Sequence, residues 1–175
     1  TETNMNTSNP YDGERRAGTV GMALPGVDMK ITNPDNGETL VDGEIGQIEV
    51  RGPNVFVGYW NMPEKTREEL REDGFFITGD LGRIDEHGYL QIVGRNKDLI
   101  ISGGYNIYPK EIELVLDEQP GVLESAVIGA PHPDFGESVI GILVADGGQP
   151  VDLDAIEADL GKTLARFKQP RKLIL

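Results

Sequence analysis

The stretch from Gly94 to Glu113 joins charged side chains to a bare glycine turn. Arg95 carries a planar guanidinium fork, which suits the oxygen atoms of a phosphate group. Lys97 carries a long flexible charged side chain and lies between Asn96 and Asp98. Gly103 and Gly104 have no Cβ atom, so another molecule can approach their backbone closely. The same residue types are also typical of a solvated charged turn, so the stretch alone does not decide between these interpretations.

Two carboxylates in other parts of the chain suit the binding of hydroxyl groups or cations. Asp80 ends the run Thr78-Gly79-Asp80, which the sequence predicts to be a turn, and a carboxylate can accept hydrogen bonds from two neighbouring hydroxyl groups. Glu2 suits a hard cation, because a cation that bridges phosphates takes one or two carboxylates as ligands. Taken alone, each acid is more typical of an ordinary turn or chain end than of a site, because short motifs are weak signals.

The composition excludes several classes of protein. The 175 residues include 30 acidic and 16 basic side chains, for a net charge of −14, which argues against a nucleic-acid-binding protein. Cysteine is absent, so a disulfide framework and a thiolate metal site are both excluded. The sequence has no apolar run of about 18 residues and no signal-peptide pattern, which predicts a cytoplasmic protein without a membrane partner. His87 and His132 are interpreted as turn and loop residues without a catalytic role.

The elements of the first half follow from its turn residues and apolar runs. Residues 1–26 are rich in Asn, Ser, Gly and Pro and are predicted to be loop. Pro63 begins a short predicted helix that ends near Arg71. Alternating or apolar runs predict the strands of a small antiparallel β subdomain at 27–33, 45–51, 75–77, 81–85 and 89–93.

The second half has a different pattern, in which helices alternate with strands. Apolar spacing predicts helices at 109–118 and 152–167 and buried strands at 99–101, 122–130, 138–145 and the end of the chain. The order predicts an α+β fold: the end of a large domain, in the form of an antiparallel β subdomain, followed by a small α+β domain. The first residue is not Met and the last residues form an apolar run, so we expect the chain to be part of a longer protein.

Four motifs occur in an order and spacing that resemble acyl-CoA synthetases. They are FITGD at 76–80, GRNKDLI at 94–100, SGGYNIYPKEIE at 102–113 and KQPRK at 168–172. These enzymes belong to the acyl-adenylate-forming superfamily, together with luciferases and the adenylation domains of peptide synthetases. The resemblance covers the whole chain, and four ordered motifs are far more specific than one glycine pattern. The opening TETNMNTSNPYDG most resembles bacterial malonyl-CoA synthetases.

The resemblance implies an ATP-dependent carboxylate–CoA ligase and, in its most specific form, a malonyl-CoA synthetase. Such an enzyme joins malonate or a related carboxylate to AMP, using Mg²⁺ and ATP and releasing pyrophosphate, and then transfers the acyl group to CoA. The resemblance also implies that residues 1–94 end the large AMP-binding domain, 95–98 form a hinge and 99–175 form a small mobile C-terminal domain. Neither nucleic acid nor a membrane is implied as a partner.

The resemblance assigns the nucleotide chemistry to five residues. It implies that Thr1 contacts the phosphoryl groups of ATP and that Glu2 is the Mg²⁺ ligand. Asp80 is expected to bind the ribose of ATP, and Arg95 is expected to lie near the ribose and the phosphates. Lys97 is expected to be the pivot about which the small domain rotates between the two half-reactions. Thr1, Glu2 and Lys97 make up the expected catalytic set.

CoA is expected to bind to the small domain. The resemblance implies that Gly103, Gly104 and Tyr105 line the path of the pantetheine arm and that Lys168 lies near the phosphates of CoA. For Lys168, a basic helix end that complements the helix dipole is the alternative interpretation. Glu111 is interpreted as a first-turn partner of the helix dipole rather than as a functional acid.

Several parts of the family's active site are expected outside these residues. They are the phosphate-binding loop rich in Ser, Thr and Gly, the arginines that bind malonate, and the adenylation lysine of the PxNxxGK motif. The chain alone is therefore predicted to be inactive. Two alternatives stay open: another enzyme of the superfamily, such as a carrier-loading adenylation domain or a luciferase-like oxidase, and a non-catalytic binding module.

Overall fold

The computed structural model describes residues 2–175 and shows an α+β fold. The chain forms two compact units, of which unit 1 ends at Asn96 and unit 2 begins at Lys97. Among residues 2–175, no helix has both the length and the apolar character needed to cross a membrane.

Unit 1 is built on a four-stranded antiparallel sheet. A short ribbon of β1 (Thr7–Ser8) and β2 (Met22–Ala23) precedes it in the chain. The strands of the sheet, which pair in sequence order, are β3 (Asp28–Thr32), β4 (Gly46–Arg51), β5 (Phe76–Ile84) and β6 (Leu90–Arg95). Helix α1 (Pro63–Glu69) lies between β4 and β5 in the chain. The core of the unit consists of apolar side chains from the sheet: Ile31, Ile48, Val50, Phe76 and Leu90.

Unit 2 contains a mixed five-stranded sheet with two α-helices among its described residues. In chain order its elements are β7 (Ile100–Ser102), β8 (Tyr105–Ile107), α2 (Pro109–Asp117), β9 (Val122–His132), β10 (Gly136–Ala145), α3 (Leu153–Thr163) and β11 (Lys172–Ile174). Strand β10 pairs with β9 along one edge. Along its other edge it pairs with β7 at its start and, in parallel, with β11 farther on.

Both helices of unit 2 start at residues that favour a helix N-terminus and bury one face. Pro109 is in the first turn of α2, where its missing N–H costs no hydrogen bond. Asp152 caps α3 by accepting a hydrogen bond from the Ala155 N–H at 3.1 Å. Each buried Leu or Ile contributes about 1.5–3 kcal/mol to folding. The buried residues of this core are Ile100, Ile107, Ile112, Leu116, Val122, Val127, Val139, Leu143, Ile156, Leu160, Leu164 and Leu173.

Several boundaries differ from the predicted ones. The strands predicted at 75–77 and 81–85 are one strand, β5, because Gly79 has a φ of +76° and the strand bulges there instead of turning. The helix predicted to reach Phe167 ends at Thr163, because Leu164 is extended and buries its side chain, and a 3₁₀ turn at Arg166–Lys168 follows.

Smaller differences concern short strands. The predicted loop at 1–26 contains the β1–β2 ribbon, and β8 was not predicted because its three residues are too few to show a pattern. His132, interpreted as a loop residue, is the last residue of β9. Helix α1 ends at Glu69, slightly before the predicted end.

Strand β4 has an alternating sequence but is buried on both faces. The alternation predicts that its polar side chains face water, yet Gln47 is only 4 % exposed and Glu49 is fully buried. Because these polar groups are buried, they must find hydrogen-bond partners inside the fold.

Candidate functional site

Asp80 and Arg95 lie side by side on neighbouring strands of unit 1. They are directly paired in the register of β5 and β6, and Arg95 Nε lies 2.8 Å from Asp80 Oδ1. The Arg95 side chain is 58 % exposed and that of Asp80 is 27 % exposed. Burial raises the pKa of Asp80, and the charge of Arg95 opposes this effect without cancelling it. The pair therefore presents an anionic acceptor beside a cationic donor. Because Asp80 lies within β5, the prediction that it lies in a turn was wrong.

Side chains hold the main chain of Asp80 from both sides. Its N–H donates to Thr78 Oγ1 at 3.1 Å, and the Thr78 hydroxyl donates to the Ile48 carbonyl at 2.9 Å. The Asp80 carbonyl accepts a hydrogen bond from Gln47 Nε2 at 3.0 Å. These bonds fix the bulge at Gly79 and so fix the direction of the carboxylate. Gln47 was not predicted as a supporting residue, because its spacing indicated a solvent-facing side chain.

A second buried polar group lies farther along β4. Glu49 accepts hydrogen bonds from Thr32 Oγ1 at 2.7 Å and from Arg71 through Nε at 2.8 Å and Nη2 at 2.6 Å. Lys30 Nζ lies 3.4 Å from the same carboxylate. Burial alone would raise the pKa of Glu49, but the hydrogen bonds from Arg71 and Thr32 and the nearby positive charges outweigh it, so the pKa is lowered. This cluster, also missed from the sequence, ties β3, β4 and the segment after α1 together.

Glu2 lies against the loop that follows β4. Its carbonyl accepts a hydrogen bond from the Phe56 N–H at 2.8 Å, and its side chain interacts with the Tyr59 hydroxyl. The same hydroxyl donates to Glu69 Oε2 at 2.5 Å. Burial, followed by these carboxylates, raises the pKa of Tyr59, which therefore keeps its proton. Thr1, the other residue predicted here, lies outside the described residues.

The residues of unit 1 fit a Mg²⁺ ion only if the ion is shared with a substrate. Within residues 2–175, no cluster of three or more His, Cys, Asp or Glu side chains could hold a metal ion. Glu2 offers one carboxylate, so the remaining ligands would be water and phosphate oxygen atoms. Mg²⁺ commonly binds in this way in nucleotide sites.

Lys97 lies in a 3₁₀ turn, Asn96–Asp98, at the boundary between the two units. All the residues of this turn are exposed. An exposed turn can absorb changes in φ and ψ without disturbing a packed core, as a hinge must. The role of Lys97 as a pivot stays a prediction.

The predicted glycine turn connects β7 to β8. Ser102 and Tyr105 form the last pair of the hairpin, and Gly103 and Gly104 between them have φ values of +58° and +82°. Positive φ at both central residues defines the type I′ hairpin turn, which strongly favours glycine. Both glycines are exposed, so the turn presents bare backbone to solvent.

A groove of about 510 Å³, here called the aromatic groove, opens beside the glycine turn in unit 2. The rings of Tyr105 and Phe167 are stacked, with centroids 4.6 Å apart and planes 22° apart. The Arg171 guanidinium lies 4.1 Å from the centroid of the Phe135 ring. The residues of its wall that could recognise a ligand are Gly103, Tyr105, Phe135, Arg166, Phe167 and Arg171. Aromatic faces beside guanidinium groups suit a ligand that is both planar and anionic.

Lys168 pairs with a carboxylate, and its ammonium group also lies 5.8 Å from the centroid of the Phe167 ring. Its Nζ lies 2.7 and 2.8 Å from the two carboxylate oxygen atoms of Glu111. Glu111 lies in the first turn of α2, as predicted, but it binds Lys168 as well as facing the helix dipole. The cations on the groove wall are instead Arg166 and Arg171, which the sequence grouped with Lys168 in one basic tail.

Two family models match the chain. The model described as AMP-binding enzyme matches residues 1–60, and the model described as AMP-binding enzyme C-terminal domain matches residues 111–175. The first match lies within unit 1 and the second within unit 2.

Solved and curated relatives agree with these matches. A crystal structure of ATP-bound MatB from Rhodopseudomonas palustris is 61 % identical over 99 % of this chain, with a TM-score of 0.95. A malonate–CoA ligase from Arabidopsis thaliana is 42 % identical over 100 % of the chain. A long-chain-fatty-acid–CoA ligase from Bacillus subtilis is 41 % identical over 91 % of it. The chain spans about a third of the length of these relatives, at 34 %, 30 % and 28 %.

The motifs, the fold and the relatives all lead to one family. The four motifs predicted an acyl-CoA synthetase, the observed architecture is α+β, and the matched relatives include CoA ligases for different acids. We conclude that the chain belongs to the acyl-adenylate-forming superfamily of AMP-binding enzymes, which includes the acyl-CoA ligases.

Proposed function

We propose that the full-length protein carrying this chain is an ATP-dependent carboxylate–CoA ligase that acts on malonate. The observation that carries the proposal is the Asp80–Arg95 pair, found in a chain 61 % identical to an ATP-bound structure. The 42 % identity to a malonate–CoA ligase supports malonate as the acid. The products would be malonyl-CoA, AMP and pyrophosphate.

In the first half-reaction, a carboxylate oxygen of malonate attacks the α-phosphorus of ATP and pyrophosphate leaves. Ionised Asp80 accepts hydrogen bonds from the ribose hydroxyl groups, and Arg95, at 2.8 Å from it, donates to ribose or phosphate oxygen atoms. Burial raises the pKa of Asp80 and disfavours its ionised form, whereas the charge of Arg95 opposes this effect and favours the ionised carboxylate. Glu2 would hold Mg²⁺, which when bound neutralises phosphate charge, and Thr1 would contact the phosphoryl groups.

In the second half-reaction, the thiol sulfur of CoA attacks the acyl carbonyl carbon and AMP leaves. The glycine turn lets the pantetheine arm approach the backbone at Gly103 and Gly104. The stacked rings of Tyr105 and Phe167 offer a flat face for the adenine of CoA. Arg166 and Arg171 offer cations for its phosphates. Lys168 can join them only where Glu111 releases it, because the two side chains form an ion pair.

The two sets of residues act in different half-reactions, so the protein must exchange one for the other. We assign residues 1–94 to the large AMP-binding domain, 95–98 to the hinge and 99–175 to the small C-terminal domain. The exposed turn at Lys97 supports this division, because it lies where unit 1 ends and unit 2 begins. The small substrates are sufficient partners for this chemistry.

The experiment that tests the proposal measures product formation by the full-length protein. With ATP, CoA and malonate, we expect AMP and malonyl-CoA to form in equal amounts, and omission of CoA should leave only malonate-dependent exchange between pyrophosphate and ATP. Exchange without any thioester, at saturating CoA, would contradict a CoA ligase and favour a carrier-loading enzyme. No exchange and no AMP with any acid would contradict the proposal as a whole.

The choice of acid is tested separately, because ligases for other acids are about as similar as the malonate–CoA ligase, at 41 % against 42 % identity. Acetate, succinate, malonate and a long-chain fatty acid are compared by kcat/KM. We expect malonate to be used most efficiently. A higher kcat/KM for another acid would overturn the assignment to malonate and leave the ligase class intact.

A further inference from the structure

The glycine turn has little support from its own hairpin. Strands β7 and β8 have three residues each, and the turn between them is exposed. Strand β7 pairs with β10 at one position, Ser102 opposite Gly136. Ile100 and Ile107 anchor the far end of the hairpin in the core of unit 2, so the direction of the turn at its tip depends on further contacts.

Three hydrogen bonds join β7 and the turn to the segment Phe135–Glu137. The carboxylate of Glu137 accepts from the Ile101 N–H at 2.7 Å through Oε2. The Glu137 carbonyl accepts from the Ser102 hydroxyl at 2.6 Å, and the Phe135 carbonyl accepts from the Gly103 N–H at 2.9 Å. The first bond is charge-assisted and therefore the strongest kind. The Glu137 side chain thus gives the main chain of β7 a hydrogen bond that a longer pairing with β10 would otherwise provide.

The fold leaves a specific space for this carboxylate. A Cβ atom on Gly129, in the neighbouring strand β9, would lie 2.5 Å from Glu137 Oε1 and 2.9 Å from its Cδ. Real Cβ atoms do not approach other atoms so closely. Because Gly129 has no Cβ atom, it leaves the space that the Glu137 carboxylate occupies when it accepts from the Ile101 N–H.

We propose that Glu137 is a positioning residue for CoA binding and thioester formation, acting through the glycine turn at Gly103 and Gly104. The inference rests on the proposed function, in which this turn lies against the pantetheine arm. Loss of the carboxylate frees the Ile101 N–H and allows the turn to shift, so CoA meets a less ordered surface. Adenylate formation depends on Asp80 and Arg95 in unit 1 and is not affected.

The test uses four variants of the full-length protein and follows both half-reactions. Glu137→Ala removes the acceptor, Glu137→Gln keeps a neutral acceptor oxygen, and Gly129→Ala displaces the carboxylate without changing it. Glu124→Ala is the matched control, because Glu124 is an exposed acid on β9. Malonate-dependent exchange between pyrophosphate and ATP reports on adenylation, and the KM for CoA reports on the glycine turn.

We expect Glu137→Ala and Gly129→Ala to raise the KM for CoA about tenfold, as for the loss of one charge-assisted hydrogen bond, with unchanged exchange. Glu137→Gln should recover most of the loss, and the control should match the wild type. A wild-type KM in Glu137→Ala, or an equal loss of exchange and thioester formation, would overturn the positioning role. If the wild type itself makes no acyl-CoA, the proposed function fails, and this inference fails with it.

Discussion

Unit 1 and unit 2 support their candidate sites in different ways. Asp80 lies on β5, a nine-residue strand with neighbours on both edges, and buried Gln47 holds its carbonyl from below. The glycine turn lies at the tip of two three-residue strands and is held by the Glu137 carboxylate and by two main-chain carbonyls of the segment Phe135–Glu137. Strand pairing thus fixes the positions of Asp80 and Arg95, whereas the turn is exposed and its contacts come from one side. This difference suits a nucleotide site that acts in the first half-reaction and a turn that contacts CoA in the second.

The largest effect is expected from disrupting the buried hydrogen-bond cluster around Glu49 of β4. Arg71→Ala leaves Glu49 buried without its bidentate partner, which should cost about 3 kcal/mol of unfolding free energy, the usual cost of breaking a buried ion pair. Hydrogen exchange of the full-length protein locates the loss. We expect faster exchange in β4 and β5 and unchanged exchange in β9 and β10.

The matched control for Arg71 is Arg51→Ala. Arg51 pairs with Asp28, and both side chains are about half exposed, at 46 % and 59 %, so its removal should cost about 0.5 kcal/mol. Equal costs for Arg71→Ala and Arg51→Ala would show that the cluster is not a special support of unit 1.

The same cluster makes stability depend on pH. The folded-state pKa of Glu49 is lowered from its ordinary value of 4.5. The stability that the ionised carboxylate contributes is therefore fully present above about pH 4.5 and is lost as the pH falls through the lowered pKa.

The next effect concerns the carboxylate on β5. Asp80→Ala removes the acceptor proposed for the ribose, and the loss of charged hydrogen bonds of about 2 kcal/mol corresponds to a fall of about 30-fold in kcat/KM for ATP. Exchange between pyrophosphate and ATP measures this fall. Asp35→Ala, at an exposed turn acid between β3 and β4, should behave as wild type. A normal kcat/KM for ATP in Asp80→Ala would exclude Asp80 from the nucleotide site.

The part of the site that could be predicted from the sequence is the part with local signals. The Gly103-Gly104 pair by itself indicates positive φ, and the run of charged residues at 95–98 by itself indicates an exposed turn, so local sequence was sufficient for both. The partners that hold these residues are distant in sequence: Gln47 is 33 residues from Asp80, and Glu137 is 36 residues from Ile101. Such pairs arise only when the strands come together.

Two of the strand predictions failed for the same reason, whereas those at 27–33, 89–93, 122–130 and 138–145 match observed strands. The alternation of β4 indicated that one face of the strand is exposed to solvent. This was wrong because Thr32 and Arg71, which are distant in sequence, bind the Glu49 carboxylate inside the fold. The boundary between 75–77 and 81–85 was wrong because Gly79 can turn a chain or bulge a strand, and pairing with β4 and β6 decided for the bulge.

A smaller effect is expected at the boundary between the units. Lys97→Pro fixes φ at this position and restricts Asn96, so it should slow thioester formation about tenfold by preventing the rearrangement, while adenylate formation is spared. Single-turnover measurements of the two half-reactions separate these effects. Lys97→Ala, which keeps the backbone free, shows how much of the loss comes from the side chain. Equal slowing of both half-reactions by Lys97→Pro would remove the argument for a hinge.

The smallest effect is expected from the support beneath Asp80. Gln47→Leu leaves the Asp80 carbonyl without its donor, and an unsatisfied buried acceptor costs about 1 kcal/mol, or about fivefold in the KM for ATP. Gln91→Leu is the control, because Gln91 lies on β6 and bonds to the side chain of Arg83 near the surface. An unchanged KM in Gln47→Leu would show that strand pairing alone positions Asp80.

We propose that Asp80 serves adenylation and that the glycine turn serves thioester formation. Gly103→Ala tests it most directly, because Gly103 has a φ of +58° and an added Cβ would lie 3.2 Å from Phe135 Cδ1. The measurement is the rate of each half-reaction in the full-length variant. We predict exchange between pyrophosphate and ATP at the wild-type rate, with thioester formation slowed about tenfold. A loss of exchange as large as the loss of thioester formation would contradict the division of labour between the two regions.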